Sequence, residues 1–363
     1  MTATQTALLV AVLSPALMLS ACRTAEGRNK PQSPQGSSLN DTARYLAGLS
    51  GGNRGDLALP RTSPEWRNHA ERMDRLWALQ SGRQSHIKTF RKELGQVGGS
   101  TVFYPFGGPD YLHAASYFPG AGTYILVGLE GAEPMPELAS LGAAELARGL
   151  GGIAHSLRTV TEASYFVTTE MRNDLASTPM PGTLPLLLAQ IGRDGKAVSS
   201  VESVSLDPSG NLVPRSGGGS PGWHIRAGGK NIFYFRQDLS NGGLGDRRLL
   251  KFVSNRGAHT TFVKSASYLM HEARFSTIRD YIVNNSHGLV QCPSGVPYRH
   301  LREAGWNLKL HGNYRGAGSP FTQYSQADLA AAYAEGSHPV KPMSFGFGYL
   351  LDPKSTCVIV GRR

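Results

Sequence analysis

Residues 1 to 21 carry no charged side chain, cysteine occurs three times in 363 residues, and no apolar run is long enough to cross a bilayer. Each absence excludes something. The apolar stretch from Ala7 to Leu19 holds 13 residues interrupted only by Ser14 and Pro15, whereas a spanning helix needs about 20. Neither C-x-x-C nor H-E-x-x-H occurs, and the 11 histidines are dispersed, so no regularly spaced metal site is expected. The glycine-aromatic run Ser344 to Tyr349 lacks the lysine and hydroxyl of a phosphate loop, and Ser294 lacks a G-x-S-x-G frame. No cofactor is expected either. Despite a net charge of +11, no run of five basic residues occurs, and Arg247-Arg248 and Arg362-Arg363 are the only adjacent arginine pairs. Without a basic stripe, a recognition helix or an aromatic RNA-binding strand, nucleic acid is not an expected partner. The scattered excess charge instead predicts attraction to anionic lipid or a phosphorylated envelope polymer, or no more than a well-solvated surface.

The apolar stretch ends in Leu19-Ser20-Ala21-Cys22. This tetrapeptide resembles the lipobox that closes a bacterial lipoprotein signal peptide, with small residues before the cysteine that let a peptidase approach the backbone. Only the α-amino group supplies the usual positive end. The resemblance implies cleavage after residue 21 and acylation of Cys22, and two or three acyl chains anchor stably at about 0.8 kcal/mol per buried methylene. It also implies a bacterial envelope location. Arg23, in place of the Asp that commonly retains such proteins at the inner membrane, favours the outer membrane in a Gram-negative host. Residues 22 to 39, rich in Pro, Gly, Ser and Gln, read as a flexible tether.

With Cys22 acylated, Cys292 and Cys357 remain, either as a disulfide closing a loop of about 65 residues or as two buried thiols. From residue 40 to 363 the pattern is that of a mixed α/β domain, a mixed sheet with flanking helices in one large domain or two intimate lobes. A hydroxyl cap, Pro64 and Glu65 start a strong helix whose Trp66, Ala70, Met73 and Trp77 recur at core spacing. Strands are predicted at Thr101 to Tyr104, Thr123 to Leu129, Leu184 to Ile191, Ala197 to Leu206, Asn231 to Phe235, Thr260 to Val263, Gly288 to Gln291, Trp306 to Leu310 and Cys357 to Val360. Helices are predicted at Asp110 to Phe118, Pro136 to Leu157, Thr169 to Ser177, Asp246 to Asn255, Phe275 to Asn284 and Gln326 to Glu335. The run RSGGGSPG at 215 to 222 reads as a mobile loop or a lobe boundary.

Tyr104-Pro105-Phe106-Gly107-Gly108-Pro109-Asp110 joins a strand to a helix through a tightly defined turn. Asp110 and His113, one helical turn apart, are either an acid/base pair or a helix cap beside a polar surface residue. Glu130 ends the strand T-Y-I-L-V-G-L, where a carboxylate takes the place of a site residue or of an ordinary loop charge. The whole stretch is similar to one found in bacterial envelope proteins, a resemblance that implies no reaction. Lys264, Asn313 and Arg315 follow other strands and are candidate binding residues on the same edge. The expected function is binding of an envelope component, anionic by charge. The alternatives are a hydrolase or transferase using Asp110, His113 and Glu130, or a structural subunit of an envelope assembly.

Overall fold

The computed structural model describes residues 36–52, 55–57, 61–97, 99–163, 178–334 and 339–363. The expected signal peptide 1–21, Cys22, most of the tether and the helix expected at Thr169 to Ser177 lie outside the described residues. Ten strands form one sheet: β1 Thr101–Tyr104, β2 Thr123–Gly128, β3 Val198–Leu206, β4 Leu212–Pro214, β5 Gly219–Ala227, β6 Lys230–Arg236, β7 Thr260–Val263, β8 Gly288–Gln291, β9 Asn307–Gly312 and β10 Cys357–Arg362. Their order is β4-β3-β5-β6-β2-β1-β7-β8-β10-β9. The five central strands, β6 to β8, are mutually parallel, and both wings are antiparallel.

Nine helices cover the two faces among the described residues. On one lie α1 Gly36–Leu46, α2 Pro64–Leu94, α3 Tyr111–Tyr117, α4 Ala143–Ala163 and α5 Leu184–Arg193; on the other, α6 Arg248–Ser254, α7 Ser276–Asn285, α8 Tyr298–Glu303 and α9 Ala327–Ala334. The sheet alternates accordingly. Val102 and Tyr104 of β1 enter the first core while Phe103 enters the second, and Leu126 and Val127 of β2 divide in the same way. The protein is thus a three-layer α/β fold with a mixed sheet. No helix of the described residues is long and apolar enough to cross a membrane.

Two expectations change. Leu184 to Ile191 is helix rather than strand, with Pro185 in its first turn and every residue through Gly192 buried. A short continuous apolar run satisfies either form, and Leu, Ala and Gln at its centre favour helix over strand. The 215 to 222 run is no boundary, because residues 219 to 222 open β5 inside the sheet and Gln35–Arg363 is one compact unit. Gly222 fits there because an added Cβ would lie 2.0 Å from the Tyr234 carbonyl oxygen.

Candidate functional site

The chain leaves β1 for β2 on one side and later returns through β7 on the other, so β1 and β7 flank the switch point of the parallel region. Ligands of open α/β sheets bind beyond the carboxyl ends of the strands at such a point. Here those ends are occupied by bent backbone. Among the described residues six non-glycines have positive φ, and Phe106 (64°), Ser265 (55°), Ser267 (51°) and Tyr268 (56°) stand at this edge. Each such residue stores on the order of 1–3 kcal/mol, which surrounding contacts must hold. Tyr349 supplies several of those contacts: its hydroxyl donates to the Ser265 carbonyl and accepts from the Ser267 N–H, both at 2.9 Å.

Beneath this turn Asp110 caps α3, accepting from the His113 N–H at 3.2 Å. The same carboxylate receives His113 Nδ1 at 2.9 Å and the Tyr104 hydroxyl at 3.0 Å. Lys264 Nζ stands 3.1 Å from Oδ2 as an ion pair, off the direction of a good hydrogen bond. All four residues are 1% exposed. Burial would raise the Asp110 pKa, but the charges and hydrogen bonds of His113 and Lys264 outweigh it and hold the carboxyl below its usual range. Burial lowers His113 to about 4 and Lys264 to about 8, each partly opposed by Asp110. Burial and then the Asp110 charge push Tyr104 well above 10. At neutral pH the cluster is therefore a carboxylate paired with an ammonium, and a neutral imidazole donating Nδ1–H to that carboxylate.

A cleft of about 520 Å³ opens above the cluster. Glu130 forms part of its wall and is 1% exposed; the Tyr234 hydroxyl donates to its backbone carbonyl at 2.8 Å and to its Oε2 at 3.2 Å. Glycines make the room for this carboxylate. An added Cβ on Gly128 would lie 2.0 Å from Glu130 Oε2 and 2.7 Å from the Gly108 backbone, and one on Gly108 would lie 3.1 Å from Oε2. Gly128→Ala is therefore expected to displace Glu130 and destabilise the fold by about 1–3 kcal/mol through overpacking. Urea unfolding, with a midpoint equal to that of the parent chain, would refute this.

The structure brings Asp110, His113 and Lys264 together, but as a sealed cluster below the cleft, and Glu130 alone of the expected site residues lines it. An acid/base role requires contact with a ligand that Asp110 and His113 do not have. Asn313 is elsewhere, its amide donating to the Lys354 carbonyl at 3.0 Å, and Arg315 is exposed. Cys292 and Cys357 are free buried thiols that pack into cores on opposite faces of the sheet, the second of the two alternatives left open by the sequence. Among the described residues no group of three potential ligands could hold a metal ion.

Of the remaining polar lining, Gln237, Asp238, Ser265 and Tyr349 were not legible as a site. The available signal was Val263-Lys264-Ser265, a buried strand running directly into an ionisable residue. No model of a known protein family matches the chain, and no curated protein matches it.

Proposed function

We propose that the chain is a bacterial lipoprotein, acylated at Cys22, whose α/β body binds a small molecule of the cell envelope in the cleft beyond β1, β2 and β7. The observation that carries the binding reading is the strained backbone at this strand edge around an open volume lined by apolar and polar groups alike. The lipobox resemblance and the tether support the anchoring, and Arg23 supports the outer membrane of a Gram-negative host.

The net charge of +11 favours an anionic partner for the outer surface but not for the cleft. Among the described residues lining it, the charged ones are Glu130 and Asp238, both acidic. An anion placed there would meet no lysine or arginine among the described lining residues.

Two measurements test the proposal. An alkyne fatty acid fed to expressing cells is expected to label the parent protein and not Cys22→Ala; an unmodified Cys22 with residues 1 to 21 attached would overturn the anchoring. For the cleft, the acylated full chain in non-ionic detergent is heated with small neutral, cationic and anionic compounds. Neutral or cationic members are expected to raise the melting temperature, and stabilisation by anions alone would overturn the assignment.

A further inference from the structure

A strap of chain from Phe345 to Leu351, between β9 and β10, crosses the strand edge at the cleft. Its first half is fixed. The Phe345 and Phe347 rings are buried in the first core, and the Phe347 N–H and carbonyl both bond the Thr356 hydroxyl, at 2.9 and 3.0 Å. Its second half is held differently. Gly348 turns the chain at a φ of 73°, Tyr349 and Leu350 are half-buried in the cleft wall, and Leu351 is exposed.

The Tyr349 hydroxyl works as a latch. Besides its bonds to the Ser265 carbonyl and the Ser267 N–H, it stands 2.9 Å from the Ser267 hydroxyl. All three contacts tie the strap to a turn in which Ser265, Ser267 and Tyr268 have positive φ. Backbone strained in this way persists only while its surroundings hold it, and it collects in segments that switch.

Under the strap lies a thiol. An added Cβ on Gly348 would come within 2.9 Å of Cys292 Sγ, so the strap can close over this sulfur only with a glycine at that position. Cys292 is 2% exposed, and its Sγ accepts from the Ser265 N–H at 3.3 Å and stands 3.0 Å from the Ser294 hydroxyl. Val263 and Gln291 are register partners in β7 and β8, so Lys264 and Cys292, the next residue of each, stand side by side. Among the described residues no hydrogen-bond partner reaches Ser265 Oγ, and Lys264 Nζ has its ion pair with Asp110 but no hydrogen bond. Buried polar atoms left in this state favour a conformation that admits water or a ligand to them.

We infer that Gly348 to Leu351 form a gate: when the Tyr349 hydroxyl releases the turn at 265 to 268, this half of the strap swings about Gly348 and joins the cleft to Cys292 and Lys264. Glycine is suited to such a hinge. The motion is local, because Phe345 and Phe347 stay in the core. The closed cleft is then the smaller of two states, and the open one presents a thiol and an ammonium that the closed walls lack. This equilibrium belongs to the protein itself and holds whatever fills the cleft.

Cys357 provides the reference. It is also 2% exposed, but it lies in the other core and within β10, between β8 and β9, where a reagent arrives by unfolding of the sheet. The acylated full chain in non-ionic detergent is treated with N-ethylmaleimide over a range of low urea concentrations, and each thiol is followed by mass spectrometry of its peptide. Cys292 is expected to react at least about tenfold faster than Cys357, at a rate nearly independent of urea, because a local opening exposes little surface. The Cys357 rate is expected to climb steeply. Tyr349→Phe is expected to raise the Cys292 rate about tenfold or more, the effect of hydrogen bonds lost from the closed state, and to keep it flat in urea. A shared rate and urea slope for the two thiols would mean that Cys292 is reached through global unfolding, and the gate would be overturned. An unchanged Cys292 rate in Tyr349→Phe overturns it as well. If that variant does not fold, the two slopes in the parent chain decide alone.

Discussion

Asp110→Asn is expected to lower the free energy of unfolding by about 3–5 kcal/mol, because it strands the buried Lys264 ammonium without a counter-charge. The cap is not the cause, since asparagine caps a helix as well as aspartate does. What disappears is the charge facing Nζ at 3.1 Å. Replacing both partners, Asp110→Asn with Lys264→Met, is expected to recover most of the loss, with a coupling of at least about 2 kcal/mol between the sites. Lys264→Met alone has a different signature. The carboxylate then holds only His113 and Tyr104, and the imidazole takes over the positive charge, so the His113 pKa rises from about 4. Chemical denaturation gives the energies, and an NMR titration of the ring protons gives the pKa. Additive single and double losses would show that the two side chains do not face each other as described.

Acidification from pH 7.5 to pH 4 is expected to remove about 7 kcal/mol of stability, at about 1.4 kcal/mol per pKa unit and with the sum over the sites halved because solvent screens the less deeply buried rings. Four histidines cause this. Burial lowers His69, His113, His271 and His311 from 6.5 to about 4. The sign follows from proton counting. Between pH 6.5 and 4 the unfolded chain binds these protons and the folded chain does not, so stability present above 6.5 is lost as the pH falls toward 4. His69 already spends Nε2 on the Leu46 carbonyl at 2.8 Å, and both ring nitrogens of His311 lack partners. His311 thus offers no hydrogen-bonded acceptor to a new charge. A loss of this size exceeds half of the stability of many domains, so near-ultraviolet circular dichroism should vanish close to pH 4. A urea midpoint unchanged between pH 7.5 and 4.5 would refute the account, and His69→Gln should flatten the profile by a single proton.

The five parallel strands were legible because each is a short apolar run bounded by turn residues, and burial on both faces leaves little polar alternation to confuse them. β5 was hidden because Gly219, Ser220, Pro221 and Gly222 carry a turn composition while serving as an edge of close backbone approach. Asp110, Glu130 and Lys264 stood out as ionisable residues at strand or helix ends. Their division between a sealed cluster and an open wall did not, since it depends on β1 lying beside β7, with Val102 opposite Thr260. Nothing local encodes that pairing. The same holds for Phe321 and Tyr349, which come from loops between β9 and β10 and meet the turn at 265 to 268 only after the sheet is ordered.

β10 follows β8 and β9 in the chain yet sits between them, and β9 joins the sheet only through it. A polypeptide emerging amino end first, from a ribosome or a translocation pore, can therefore zip its central strands while its last segment is still inside. The roof that Phe321 and Tyr349 lend to the cavity must wait for that final insertion. The cleft is thereby complete only once the carboxyl-terminal strand has joined the sheet.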